Sequence, residues 1–192
     1  MIPTREQAWE WLCEYNDSDS LRKHALTVEG VMRHFAGLYP GEDPELWGIV
    51  GLLHDLDYEK YPEQHCTKTQ EILREKGADE VIVRGTASHG YGLCCDIEPV
   101  STMEKVLFTI DELSGLITAA ALMRPSHSVL DMEPKSVKKK FKDKRFAAGV
   151  NREVILQGAE RLGMEMDTVI AETIEGMKKI ADSIGLGMAA EG

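Results

Sequence analysis

No apolar run in this chain approaches the roughly 20 residues that a bilayer-spanning helix needs. The longest one, Leu116 to Met123, is already interrupted by Thr118, so nothing suggests membrane insertion. Disulfide patterning is also missing. The four cysteines, Cys13, Cys66, Cys94 and Cys95, show no CxxC spacing and no secretory leader precedes them, so a reduced, cytoplasmic chain is expected. Neighbouring cysteines cannot close an unstrained disulfide on each other, which leaves Cys94-Cys95 as a loop pair of thiols. No Pro-, Gly- or Ser-rich linker divides the 192 residues. One domain over 1–185 is expected, followed by a frayed Gly-rich tail at 186–192. Positive charge is in deficit, with 22 Lys and Arg against 33 Asp and Glu and a formal charge of -11. That balance argues against general nucleic-acid or anionic-membrane binding. An anionic substrate would have to meet locally concentrated positive charge.

Helical signals are abundant, and no convincing sheet or internal repeat stands beside them. Thr4 with Gln7 three residues on forms a capping box for a first helix that ends near Asn16-Asp17. A second begins after Ser18-Asp19-Ser20 and places Leu21, Ala25, Val28, Met32, Phe35 and Tyr39 on one stripe,. Asp43 and Pro44 are N-cap and first residue of a third helix, which carries Trp47, Val50 and His54 on one face. Pro62 breaks the chain before a fourth helix from about His65 to Lys76, closed by Gly77. The stretch from Asp79 through Val81, Ile82 and Val83 reads as a fifth helix, although three β-branched residues suit a short strand equally. A long helix carries Met103, Val106, Ile110, Leu113, Ile117 and Ala120 on its core stripe. Two more, about 152–162 and 167–184, close an all-α, single-domain bundle.

The chemistry concentrates at His54-Asp55, where an apolar helix ends in an imidazole and a carboxylate side by side. Both are ligand types for a divalent cation, and neither is at home there without a polar partner. His24 lies on the buried flank of the second helix beside Ala25 and Val28. His34, ten residues later, is rotated by about 80° away from it, so His24 is the ligand candidate, while His34 and His127 are read as ordinary polar residues. Asp111 falls between Leu107 and Ser114 on the flank of an apolar stripe. An unpaired charge there would cost several kcal/mol, so a cation is expected opposite it.

This order, His24 in Leu21-Arg22-Lys23-His24-Ala25, His54-Asp55 after Gly51-Leu52-Leu53, and Asp111 in Ile110-Asp111-Glu112-Leu113, resembles the HD superfamily of metal-dependent phosphohydrolases over roughly residues 20–120. A subset of that family adds two histidines before the last Asp and binds a second metal bridged by the Asp of the pair. His65 and His89, in Ala87-Ser88-His89-Gly90, resemble those positions. The segment Phe141 to Arg152 is similar to the C-terminal part of a group of small HD proteins. The resemblance implies a helical HD-type domain holding one or two divalent ions (Mn, Fe, Co, Ni, Mg or Zn) on His24, His54, Asp55, His65, His89 and Asp111. With no cysteine in that set, Zn is not favoured over the others. It further implies hydrolysis of a phosphomonoester or phosphodiester of a small molecule, such as a nucleotide, by a metal-activated water. An HD-type di-iron oxygenase and a non-enzymatic metal or nucleotide sensor remain alternatives with the same ligands.

Asp55 and Asp57 are the expected catalytic carboxylates. Asp57, like Glu59, could instead orient a ligand imidazole or be solvated beyond the helix end, and solvation is the favoured alternative. The basic run from Lys135 to Arg145 offers Lys138, Lys142, Lys144 and Arg145 as a clamp on a phosphate. A solvated lysine face is the competing reading.

Overall fold

The computed structural model of the chain describes residues 1–188. Nine α-helices occur among the described residues: α1 (Arg5–Tyr15), α2 (Asp19–Ala36), α3 (Pro44–Leu53), α4 (Thr67–Glu75), α5 (Glu80–Ala87), α6 (Thr102–Leu122), α7 (Pro134–Lys142), α8 (Arg152–Leu162) and α9 (Met166–Lys178). Short 3₁₀ turns cover Pro62–Gln64 and Ser88–Gly90. No strand is present among the described residues, and the one isolated bridge joins Tyr91 to Cys95. The all-α, single-domain expectation holds.

Local signals account for most helix starts. Thr4 Oγ1 accepts the Gln7 N–H at 3.2 Å while the Thr4 N–H donates to Gln7 Oε1 at 2.9 Å, a reciprocal capping box. Asp43 accepts from the Glu45 N–H and Pro44 opens α3. The β-branched run at Val81-Ile82-Val83 is helical, because Asp79 caps α5 through the Val81 N–H at 3.0 Å and Ile82 and Val83 point into the core. The fourth helix starts two residues later than expected. Cys66 adopts φ 67°, in the left-handed region, and an α-helix cannot run through such a residue.

At the other end, α9 stops at Lys178 rather than near Ile184. The chain then turns, with Gly185 at φ 73° and the Leu186 N–H donating back to Ala181 O at 2.8 Å, the hydrogen-bond pattern that closes helical turns. Leu186 is buried, and its carbonyl accepts from the Val129 N–H and Ser128 Oγ. The expected fraying therefore does not begin at residue 186, and 189–192, the rest of that tail, lie outside the described residues.

Helix α3 is the anchor of the bundle. Trp47, Ile49, Val50, Leu52 and Leu53 have no exposed surface, and each large side chain buried this way stabilises the fold by about 1.5–3 kcal/mol. Its main neighbour is α2. At their closest approach a Cβ on Gly51 would stand 3.0 Å from Val28 O and 2.9 Å from Met32 Cγ, so only glycine lets the two backbones meet. That contact lies one turn from His24 on α2 and three residues before His54. Helix α6 packs against α2, α7, α8 and α9 and brings Asp111 to the same place. The Asn16 side chain, at the end of α1, donates to Leu56 O at 3.0 Å and so ties down the turn that follows His54-Asp55.

Candidate metal centre

Five of the six ligand candidates line one cavity of about 440 Å³, and His54 lies buried against Asp55 and Asp111 beneath it. His24 comes from the second turn of α2, His54 caps the C-terminus of α3, and Asp55 follows it. His65 sits just before α4, His89 in the 3₁₀ turn after α5, and Asp111 in the middle of α6. His54 is the deepest, with its side chain fully buried, whereas Asp55 and Asp111 retain 18% and 17% exposure toward the cavity.

Two donor sets meet at Asp55. On one side, Asp55 Oδ2 lies 3.5 Å from His24 Nε2 and 3.2 Å from His54 Nε2. Asp111 Oδ1 is 2.9 Å from His24 Nε2 and 3.3 Å from His54 Nε2, and the two imidazole nitrogens are 3.2 Å apart. On the other side, Asp55 Oδ1 lies 3.5 Å from His65 Nε2 and 3.3 Å from His89 Nε2, which are themselves 3.2 Å apart. Ligand atoms about 2.0–2.1 Å from a common ion, at angles between octahedral and tetrahedral, stand about 2.9–3.4 Å apart. All but the two 3.5 Å separations fall in that range, and those two lie about 0.1 Å beyond it.

The far nitrogens of the rings decide which atoms are free to bind. His54 Nδ1 lies 2.7 Å from Gly51 O, His89 Nδ1 2.5 Å from Thr86 O, and His65 Nδ1 2.7 Å from Asp57 Oδ1. Carbonyl and carboxylate oxygens can only accept, so in each ring Nδ1 carries the proton and donates it. In the neutral ring Nε2 then presents a lone pair to the centre, the arrangement found behind metal-bound imidazoles.

Electrostatics point the same way. Burial disfavours a charged His54, but the carboxylates of Asp55 and Asp111 outweigh it and hold its pKa well above 6.5. Burial likewise opposes charge on His89, and the hydrogen bond with Asp55 overrides it, raising the pKa to about 9. Burial pushes the Asp55 and Asp111 carboxyls up, yet the charge on His54 prevails and both lie well below the usual carboxylate range. The cluster is built to hold positive charge, which protons supply when no cation does. Glu112, on the cavity wall, is raised by burial, and its Oε2 accepts from the Asn151 N–H at 2.9 Å.

Asp57 is not a solvated acid, nor does it line the cavity. It is completely buried, and its carboxylate accepts from His65 Nδ1–H and from the Thr69 N–H at 2.8 Å. Its place is behind His65, so the expectation that it acts directly in catalysis is corrected: it fixes the His65 ring and does not face the cavity. Glu59 has a different task, accepting the Asp17 and Ser18 N–H groups ahead of α2.

The basic run does not reach the centre. Lys138 pairs with Asp167 at 2.6 Å, and Lys138 and Lys142 line a separate surface cleft with Lys135, Lys139 and Arg124. Lys144 is exposed and the Arg145 side chain is 95% exposed. No Lys or Arg is among the residues lining the metal cavity, so the phosphate clamp expected from Lys138, Lys142, Lys144 and Arg145 is absent there. The reason is local. Helix α7 turns its lysines outward, while the loop after it contributes Gly149 and Val150 to the cavity. The Arg152 guanidinium gathers that loop by donating to the carbonyls of Lys140, Phe141, Asp143 and Phe146.

His34 is paired elsewhere, with Glu172 at 2.6 Å and Lys179 at 2.8 Å. The cysteines, by contrast, are closer to the centre than their spacing suggested. Cys66 is buried beside His65 and His89, and Cys94 lines the cavity. The only sequence signal for this was adjacency, Cys66 following His65 directly and Cys94 lying five residues after His89. Comparison of the chain with protein-family models, with curated proteins and with solved structures finds no match in any of the three. The chain is thus an all-α domain whose His and Asp residues form a cluster able to hold a metal ion.

Proposed function

We propose that this chain is a metal-dependent phosphohydrolase of the HD type, cleaving a phosphomonoester or phosphodiester of a small molecule such as a nucleotide. The observation that carries the proposal is the division of Asp55, one carboxylate oxygen facing His24, His54 and Asp111 and the other facing His65 and His89. A carboxylate placed this way could hold one cation on each oxygen, with His24, His54 and Asp111 as the other ligands on one side and His65 and His89 on the other.

Cations bound at the two positions would supply an activated water and neutralise charge on the phosphoryl group. The protein's own part is positioning. Gly51 O, Thr86 O and Asp57 fix the ring orientations of His54, His89 and His65, so the donors are aimed before substrate arrives,. Leu21, Leu93, Val150 and Val154 give the cavity an apolar rim, which suits the non-phosphate part of a small substrate. A net charge of -11 and a cavity without Lys or Arg leave the cations as the groups that draw in a phosphate.

The test is a chelator-stripped protein reloaded with Mn, Fe, Co, Ni, Mg or Zn, one at a time, and screened on nucleotides and sugar phosphates. Phosphate release is expected only in the loaded protein, and Asp55→Ala is expected to lose bound metal and activity together. Turnover by the stripped protein, or by Asp55→Ala, would refute the proposal.

A further inference from the structure

The two cation positions are not alike. Around the first, every donor atom is nitrogen or oxygen. Around the second, a sulfur stands beside the nitrogens: His65, Cys66 and His89 each offer one donor atom, all within 4.8 Å of one another. Cys66 Sγ is 4.0 Å from His89 Nε2. A metal–sulfur bond of about 2.3 Å and a metal–nitrogen bond of about 2.0 Å reach across that separation only at an open angle, and a tetrahedral ion needs the two atoms to close by about 0.5 Å. Asp55 Oδ1, 3.3 Å from His89 Nε2 and 3.5 Å from His65 Nε2, adds an oxygen donor beside the two histidines.

The backbone around this sulfur is arranged for it. Cys66 is fully buried and held at φ 67°, a conformation costing about 1–2 kcal/mol for a residue with a Cβ. Cys94 Sγ lies 2.7 Å from Cys66 Sγ, and a Cβ on Gly90 would collide with both sulfurs. Glycine at that position is what leaves room for them next to His89.

The geometry points to Cys66 as a thiolate ligand of the second cation, making that position a mixed nitrogen, oxygen and sulfur site selective for borderline and soft divalent ions such as Zn, Co and Fe(II) over Mg and Mn. This rests on the two-cation reading above. Binding exchanges the thiol proton for the metal and releases it to solvent, with no change of oxidation state. The first position, built from His24, His54, Asp55 and Asp111, has no sulfur and discriminates less against harder ions.

Co(II) titration of the stripped, reduced protein tests this without any variant. Two equivalents of Co(II) are expected, one of them producing a near-ultraviolet sulfur-to-cobalt charge-transfer band. Cys66→Ser is expected to remove the band and to weaken the second equivalent on the order of 10–100-fold, while Cys94→Ser keeps the band. Two equivalents showing visible cobalt transitions but no charge-transfer band would overturn the thiolate assignment and leave the two-cation reading standing. A band that survives in Cys66→Ser would also overturn it. Failure of the wild-type protein to bind Co(II) at all would overturn both.

Discussion

Replacing Asp57 by asparagine separates a ligand-orienting role from a catalytic one. The carboxylate is buried and accepts two hydrogen bonds, from His65 Nδ1–H at 2.7 Å and from the Thr69 N–H at 2.8 Å. An asparagine keeps one acceptor oxygen and must turn its NH2 group toward one of these partners. If the NH2 faces His65, Nδ1 has to become the acceptor, and the ring proton moves to Nε2, the atom aimed at Asp55 and His89. If it faces Thr69 instead, donor meets donor in a buried site, at about 1–3 kcal/mol. In the first case the second cation loses a ligand. Loss of such an orienting partner lowers metal affinity about 10–100-fold, equivalent to about 1.4–2.8 kcal/mol. Calorimetric titration with Zn(II) is expected to show one site of unchanged affinity and a second that is weakened or absent. The other orientation leaves both affinities intact and lowers the metal-free Tm instead, so two sites of wild-type affinity together with an unchanged Tm in Asp57→Asn would refute the reasoning.

Gly51→Ala is expected to push α3 away from α2, because the new methyl meets Val28 O at 3.0 Å. The cost is about 1–3 kcal/mol of stability, and thermal unfolding with a metal titration should show weaker binding at the first position, where His24 and His54 must meet. Lys144→Ala and Arg145→Ala, whose side chains stand away from the cavity, should leave KM for a phosphate ester unchanged, and a several-fold rise in KM would restore the basic run to the site. In the metal-free protein the His89 pKa is raised from 6.5 to about 9, so its pairing with Asp55 stabilises the fold fully below pH 6.5. That contribution, about 3 kcal/mol, fades as the pH rises through about 9. Metal-free Tm should therefore fall over this window, while cation affinity rises because the competing proton leaves. A metal-free Tm that climbs over the same window would contradict the assignment of the charge to His89.

Helix identity was legible because its determinants are local. Capping at Thr4, Asp43 and Asp79 and the apolar stripes of α2 and α6 act within a few residues, and the observed helices begin where those signals stand. Helical phase was enough to separate His24 from His34, which turns to Glu172 and Lys179 on the α9 side. The β-branched run at Val81 was ambiguous in periodicity, and its cap resolved it. Asp57 was misread because burial depends on how the chain folds after α3. Two residues past Asp55, nothing local distinguishes a solvated acid from one covered by Thr69.

The order His24, His54-Asp55, His65, His89, Asp111 and the helical class were determined by the sequence alone, since residue type and periodicity are properties of short windows. Only the tertiary structure decided which oxygen of Asp55 faces which histidines, that Cys66 lies beside His65 and His89, and that the lysines of α7 stay outside. Those outcomes depend on α2, α3, α6 and the loops around residues 65 and 90 closing on one another, with partners such as His24 and Asp111 87 residues apart. Contacts at that range follow from packing the whole core, and no short stretch of sequence encodes them.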